Sequence, residues 1–85
     1  MEYDEDKIDE MVLALLYLTM FKDGAGIRAW KGHDWSAMDR LYQRDYISNP
    51  QSKAKSVRMT EAGVQRAKEL FERHFLRKAS PRPSS

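Results

Sequence analysis

The stretch Tyr46-Ile47-Ser48-Asn49-Pro50-Gln51-Ser52-Lys53-Ala54-Lys55-Ser56-Val57-Arg58-Met59-Thr60-Glu61-Ala62-Gly63 decides the fold. Tyr46-Ile47-Ser48 reads as a short strand. Asn49-Pro50-Gln51-Ser52 breaks it, because proline has no N–H for a ladder and Asn and Ser favour turns. Lys53-Ala54-Lys55 is a polar, basic loop. Ser56-Val57-Arg58-Met59 alternates polar with apolar, the period-two pattern of a half-buried strand. Together these segments predict a β-hairpin with a long basic tip. Thr60 then supplies an N-cap oxygen and Glu61 a first-turn acid, so a helix starts there. Val64, Ala67, Leu70, Phe71, His74 and Phe75 fall on one face of that helix, with Arg66, Glu69, Glu72 and Arg73 on the other. Glu69 and Arg73 stand four apart, the spacing of a supportive ion pair.

Upstream of the hairpin, Gly32 marks a break and Asp34 is a good N-cap for a helix beginning at Trp35. Trp35, Met38, Leu41 and Tyr42 form one apolar stripe, which leaves Ser36, Asp39, Arg40, Gln43 and Arg44 to face outward. Ile27-Arg28-Ala29-Trp30-Lys31 suits either one extended strand or a helical turn, and extended is the favoured reading. Farther upstream, Asp4 to Phe21 reads as the first helix, with Asp4, Glu5, Asp6 and Asp9 near its positive end. Met11 to Leu18 is an unbroken apolar run, so this helix should be central and covered from more than one side. Lys22-Asp23-Gly24-Ala25-Gly26 should stop it.

The order is helix, short extended segment, helix, β-hairpin wing, helix: an α+β chain. Residues 1–77 form the single expected domain, and residues 78–85, rich in Ser and Pro, a disordered tail. Leu41 to Ile47, the polar loop, and the return through Val57 into Thr60-Glu61-Ala62-Gly63 resemble the recognition-helix and wing region of winged-helix proteins. The resemblance covers about residues 35–75 and implies a winged-helix-like fold. Only thirteen residues separate Phe21 from Trp35, so the second helix of that pattern must be reduced or missing. The whole chain also looks like a small uncharacterised bacterial family. The stretches that carry this are Gly26 to Trp35 and Ser52-Lys53-Ala54-Lys55-Ser56-Val57. That likeness implies a fold and no activity.

There is no cysteine among the 85 residues, which excludes disulfides and thiolate metal sites. The acidic N-terminus does not resemble a secretory signal, and the longest apolar run is too short to cross a bilayer. A cytoplasmic protein is the expectation. Net charge is +2, unevenly placed: residues 1–10 hold six acids and one base, and the rest holds twice as many bases as acids. An anionic partner is therefore one expectation.

Two function classes follow. In the first, a small DNA-binding regulator or accessory factor uses Ser36, Arg40, Gln43 and Arg44 on the second clear helix and Lys53, Lys55 and Arg58 in the wing. Arg77, Lys78 and Arg82 would add tail contacts. Asp39 and Asp45 oppose this reading, since phosphates would repel them. In the second, the scaffold is a protein-interaction or dimerisation module, and the apolar first helix is buried in a homodimer. Trp30, His33, Trp35 and Tyr42 are close enough in sequence to line an aromatic pocket, although a core this small needs its tryptophans for packing. No cofactor or small-molecule substrate is expected. His33, Asp34 and His74 lack the spacing of a catalytic or metal site, so the chain does not read as an enzyme. Gly24-Ala25-Gly26 is a turn, not a phosphate loop, because the glycines follow a helix.

Overall fold

A computed structural model describes residues 1–24 and 26–77. Its first helix is set by its acidic start. Asp4 Oδ1 accepts the Lys7 N–H at 3.1 Å, capping α1 (Glu5–Leu18). The predicted extension to Phe21 does not occur. Thr19 ends the helix: its N–H donates to Leu16 O at 3.0 Å, its hydroxyl donates to the same carbonyl at 3.2 Å, and the Met20 N–H donates to Tyr17 O at 3.4 Å. Phe21 instead begins β1 (Phe21–Asp23), which pairs antiparallel with β2 (Gly26–Trp30). Gly24, at φ +63°, sits at the turn between them, a conformation glycine adopts without a Cβ penalty. The favoured extended reading of residues 27–31 is thus met by β2. The element expected as a reduced second helix is this hairpin.

Asp34 Oδ2 accepts the Ala37 N–H at 3.0 Å and starts α2 (Trp35–Gln43), as its sequence implies. The chain leaves α2 through Asp45, whose φ of +63° makes a sharp turn. Tyr46-Ile47-Ser48 is reduced from the expected strand to a single bridge, Ile47 to Met59, with Ser48 N–H donating to Arg58 O at 2.9 Å. Pro50 follows too soon for a longer ladder. The strand β3 (Ser56–Met59) finds its main partner in β2, giving an antiparallel sheet of order β1-β2-β3. Thr60 caps α3 (Glu61–Phe75) through Gly63 N–H at 2.9 Å.

The chain is therefore α+β, three helices and a small antiparallel sheet, compatible with a winged-helix-like arrangement. As expected, α1 is central. It packs on α3, α2 and the inner face of β2. Leu13, Leu16, Met38, Leu41, Ile47, Val57 and Leu70 form the fully buried centre, where each large aliphatic side chain contributes about 1.5–3 kcal/mol by leaving water. Tyr17 and Phe71 stack across α1 and α3 at a ring separation of 5.1 Å. Leu15 and Leu18 stay exposed, so one stripe of α1 is not covered within the monomer.

The stripe on α2 is narrower than the sequence implies. Ala37, Met38 and Leu41 are buried, whereas Trp35 and Tyr42 are 56% and 42% exposed. Arg40, expected to face outward, is turned toward α1. On α3 the expected Glu69–Arg73 pair is replaced by Arg66–Glu69 at 3.2 Å. His74 lies 3.4 Å from Glu10 of α1, which fits the expected packing role. The predicted tail, 78–85, lies outside the described residues.

Candidate nucleic-acid interface

The seven residues singled out from sequence divide into two groups. On α2, Arg40 is bound twice by Asp9: its Nε and Nη2 donate to the two carboxylate oxygens at 2.7 and 2.8 Å. Glu5 adds a 3.4 Å contact. The Asp9 hydrogen bond, more than the charge of either acid, raises the pKa of Arg40 further and keeps it protonated. Arg44 donates to Asp6 at 2.9 Å, an exposed pair worth at most about 1 kcal/mol. Gln43 donates to Asp39 at 2.9 Å. Of the four residues singled out on α2, only Ser36 has no such partner among the described residues. The acidic start of α1 and the basic end of α2 thus neutralise each other, a consequence of packing that the α2 sequence alone does not carry.

The second group lies on the sheet and wing. Lys53, Lys55 and Arg58 are exposed. None has an acidic partner among the described residues. The wing is held in place by Lys31, whose Nζ donates to Pro50 O at 2.7 Å and Ser52 O at 2.6 Å. Lys31 N–H also donates to Lys55 O at 3.3 Å. Residues 20–33 and 46–60 together carry six Lys or Arg and one acid, Asp23. This module therefore carries an excess of positive charge, with Lys53, Lys55 and Arg58 grouped on it.

The register puts Phe21, Arg28 and Arg58 in one cross-strand row, with Trp30 opposite Ser56 in the next. Alternation sends Ile27, Ala29, Val57 and Met59 to the core, so the row of Arg28 is on the outer face. Arg28 is fixed there: Nε donates to Ser56 Oγ at 2.7 Å and Nη2 to Ser56 O at 2.8 Å, with Asp23 at 3.9 Å. The Arg58 guanidinium lies over Gly26, where a Cβ would collide with it. Sequence reasoning missed Phe21, Gly26 and Arg28. Alternation through Ile27-Arg28-Ala29-Trp30 was the signal, but the partner strands were needed to show which residues share the face.

The proposed aromatic pocket does not form as a unit. Trp30 pairs with Phe21 at 5.3 Å on the sheet, while Trp35 and Tyr42 project from α2. His33 is half-buried, and that burial lowers its pKa from 6.5. A cleft of about 280 Å³ opens between the three helices, but its Asp6, Glu10, Arg44 and Arg66 are already engaged with protein partners. Among the described residues, no group of three His, Asp or Glu converges as a metal site would require. No described helix is long and apolar enough to cross a membrane.

The fold and its segregated charge thus define a small α+β domain with a cation-bearing sheet and wing. The chain belongs to the family described as "Domain of unknown function (DUF6429)", whose model matches residues 4–77. It is similar to the uncharacterized protein y4hR of Sinorhizobium fredii (strain NBRC 101917 / NGR234), with 51% identity over 77 residues, 91% of this chain and 100% of that protein. No solved structure matches the chain.

Proposed function

We propose that this domain is a small nucleic-acid-binding accessory factor that makes contact through its wing and sheet rather than through α2. One observation carries this reading. The cations of α2 are spent on the acids of α1, whereas Lys53, Lys55 and Arg58 have no acidic partner among the described residues. Phosphates are the polyanion such a surface suits, and neutralising them releases counterions. Ser36 and the weakly tied Arg44 can contribute at the rim.

Fluorescence anisotropy with labelled nucleic acid at low and moderate salt tests the reading. Affinity should fall steeply as salt rises. Lys53→Ala with Lys55→Ala should weaken binding and reduce the log–log salt slope by about 1.4–1.8, at about 0.7–0.9 for each phosphate no longer neutralised. Absence of binding to any duplex or single strand at low salt defeats it.

A second reading is favoured by a different observation. Trp35 and Tyr42 stand seven residues apart on α2, which places them on one face, and both are exposed. Such aromatic residues often anchor protein interfaces. On this reading α2 serves homodimerisation. Light scattering after size exclusion should show a dimer that Trp35→Ala dissociates, and a strict monomer at high micromolar concentration would end it.

A further inference from the structure

We propose that the outer face of the sheet is a stacking platform for the bases of a single-stranded nucleic acid, with the Phe21–Trp30 ring pair as its floor. The inference rests on the nucleic-acid reading above and names its substrate class. Trp30 is 51% exposed although it belongs to the middle strand of the sheet. Its ring is not idle surface: it packs against Phe21 at a centroid separation of 5.3 Å and 33° between planes. The indole is thereby held on one side, while about half of Trp30 remains open to solvent.

Two arginines, Arg28 and Arg58, stand near this ring pair against one acid, Asp23, which lies 3.9 Å from Arg28. Ser56 is the direct cross-strand partner of Trp30, and Ser56 is where the Arg28 guanidinium is anchored through two hydrogen bonds. A cation is therefore fixed beside the indole with little rotamer freedom left to lose on binding. Arg58 stands opposite Arg28 on the next strand, about 5 Å farther across the face. Gly26 leaves the space into which its guanidinium extends. Aromatic rings for bases, with cations a strand's width away for phosphates, are the components of sequence-tolerant single-strand recognition. A duplex has its bases stacked internally and cannot use the indole. A protein partner would gain from the aromatic rings but would need an acid for Arg58, which has none among the described residues. The wing lysines continue the same positive charge along the sheet edge, which favours a polyanion.

The test uses the full chain with Trp35→Phe, which leaves Trp30 as the sole indole reporter. Oligo-dT and oligo-U of 15 nucleotides, and a duplex of equal length, are compared at matched phosphate concentration. Expected are quenching of Trp30 emission by single strands and not by duplex, and a single-strand affinity about tenfold or more above that for duplex. In the original background, Trp30→Leu keeps an apolar side chain but removes the π face. It should cost single-strand binding about tenfold, by loss of one base's stacking surface, and leave duplex binding unchanged. Trp30→Phe should restore most of the loss, and an unchanged urea midpoint shows that the variants remain folded. The two oligomers separate DNA from RNA as the source of the bases, and quenching by either supports the platform. Equal binding of single strand and duplex, with Trp30→Leu silent, overturns the platform while the phosphate-binding reading stands. Absence of all binding removes both.

Discussion

Arg40 and Asp9 form a two-pronged ion pair between α2 and α1, with the Asp9 carboxylate 1% exposed and the guanidinium reaching it from the surface. A carboxylate this deeply buried needs its partner, because the interior offers no water to solvate it. Arg40→Ala should therefore destabilise the domain by about 2–4 kcal/mol, somewhat less than for a fully enclosed pair since the arginine end meets solvent. For a domain whose total stability is on the order of 5–10 kcal/mol, that is severe. The double variant Asp9→Leu with Arg40→Met removes both charges and should recover most of the loss. Urea denaturation of the three proteins decides the matter: a mild single variant would mean that Asp9 is not held by Arg40.

Gly63 presents a second close relationship. It lies in the first turn of α3 directly against the Tyr46 carbonyl, and a Cβ there would collide with it. That same carbonyl accepts the Thr60 N–H at 3.0 Å and faces the Thr60 hydroxyl at 3.2 Å. The backbone cannot retreat without losing the cap. Gly63→Ala, which at an exposed helix position would stabilise by about 1 kcal/mol, should here destabilise by about 1–3 kcal/mol. A rise in the thermal midpoint on this substitution would show that the approach is looser than the geometry states.

These two relationships show where the sequence is legible and where it is not. Thr60-Glu61-Ala62-Gly63 announces a helix start from local chemistry alone, and the same holds for Asp34 before α2. Capping depends on residues within one turn, so the information is local. The positions of Arg40, Trp35 and Tyr42 on α2 depend on which neighbour packs where. A helical wheel offers Trp35 and Tyr42 as core by hydrophobicity. The fold buries Ala37 instead and turns Arg40 to a carboxylate 31 residues away. Likewise Phe21 reads as the end of an apolar helix until Thr19 caps the last turn and Arg28 supplies a strand to pair with. The cationic wing is visible in sequence, but its aromatic neighbour on the sheet is not, because Phe21 and Trp30 meet only through the β1–β2 register.

His33 gives the domain a pH response. Burial lowers its folded pKa below 6.5, its ordinary value. As pH falls, the unfolded chain therefore takes up this proton before the folded one does. The His33 contribution to stability is complete above about pH 6.5 and is lost as pH drops from there toward the folded pKa. His33→Asn cannot protonate, so the difference in urea midpoint between wild type and variant should shrink or reverse as the pH goes from 7.5 to 5. A constant difference would show that the imidazole is solvated equally in both states.

Lys31 connects stability to the proposed interface. Its ammonium bridges Pro50 O and Ser52 O, so the end of β2 holds the base of the wing. Charge-assisted bonds of this kind are stronger than neutral ones, but the loop they hold is exposed, and its loosening need not unfold the core. Lys31→Met should lower global stability by only about 1 kcal/mol. It should speed amide exchange within residues 49–55 well beyond any change in α1 or α3. Nucleic-acid affinity should fall more than removal of one charge explains, because Lys53 and Lys55 would then be ordered only on binding. Lys31→Arg retains the charge but not the compact two-carbonyl bridge, so it separates the two effects. If the arginine variant shows slow wing exchange and full affinity, charge alone accounts for the role of this residue. If it exchanges as fast as the methionine variant while keeping part of the affinity, the tether is what positions the wing.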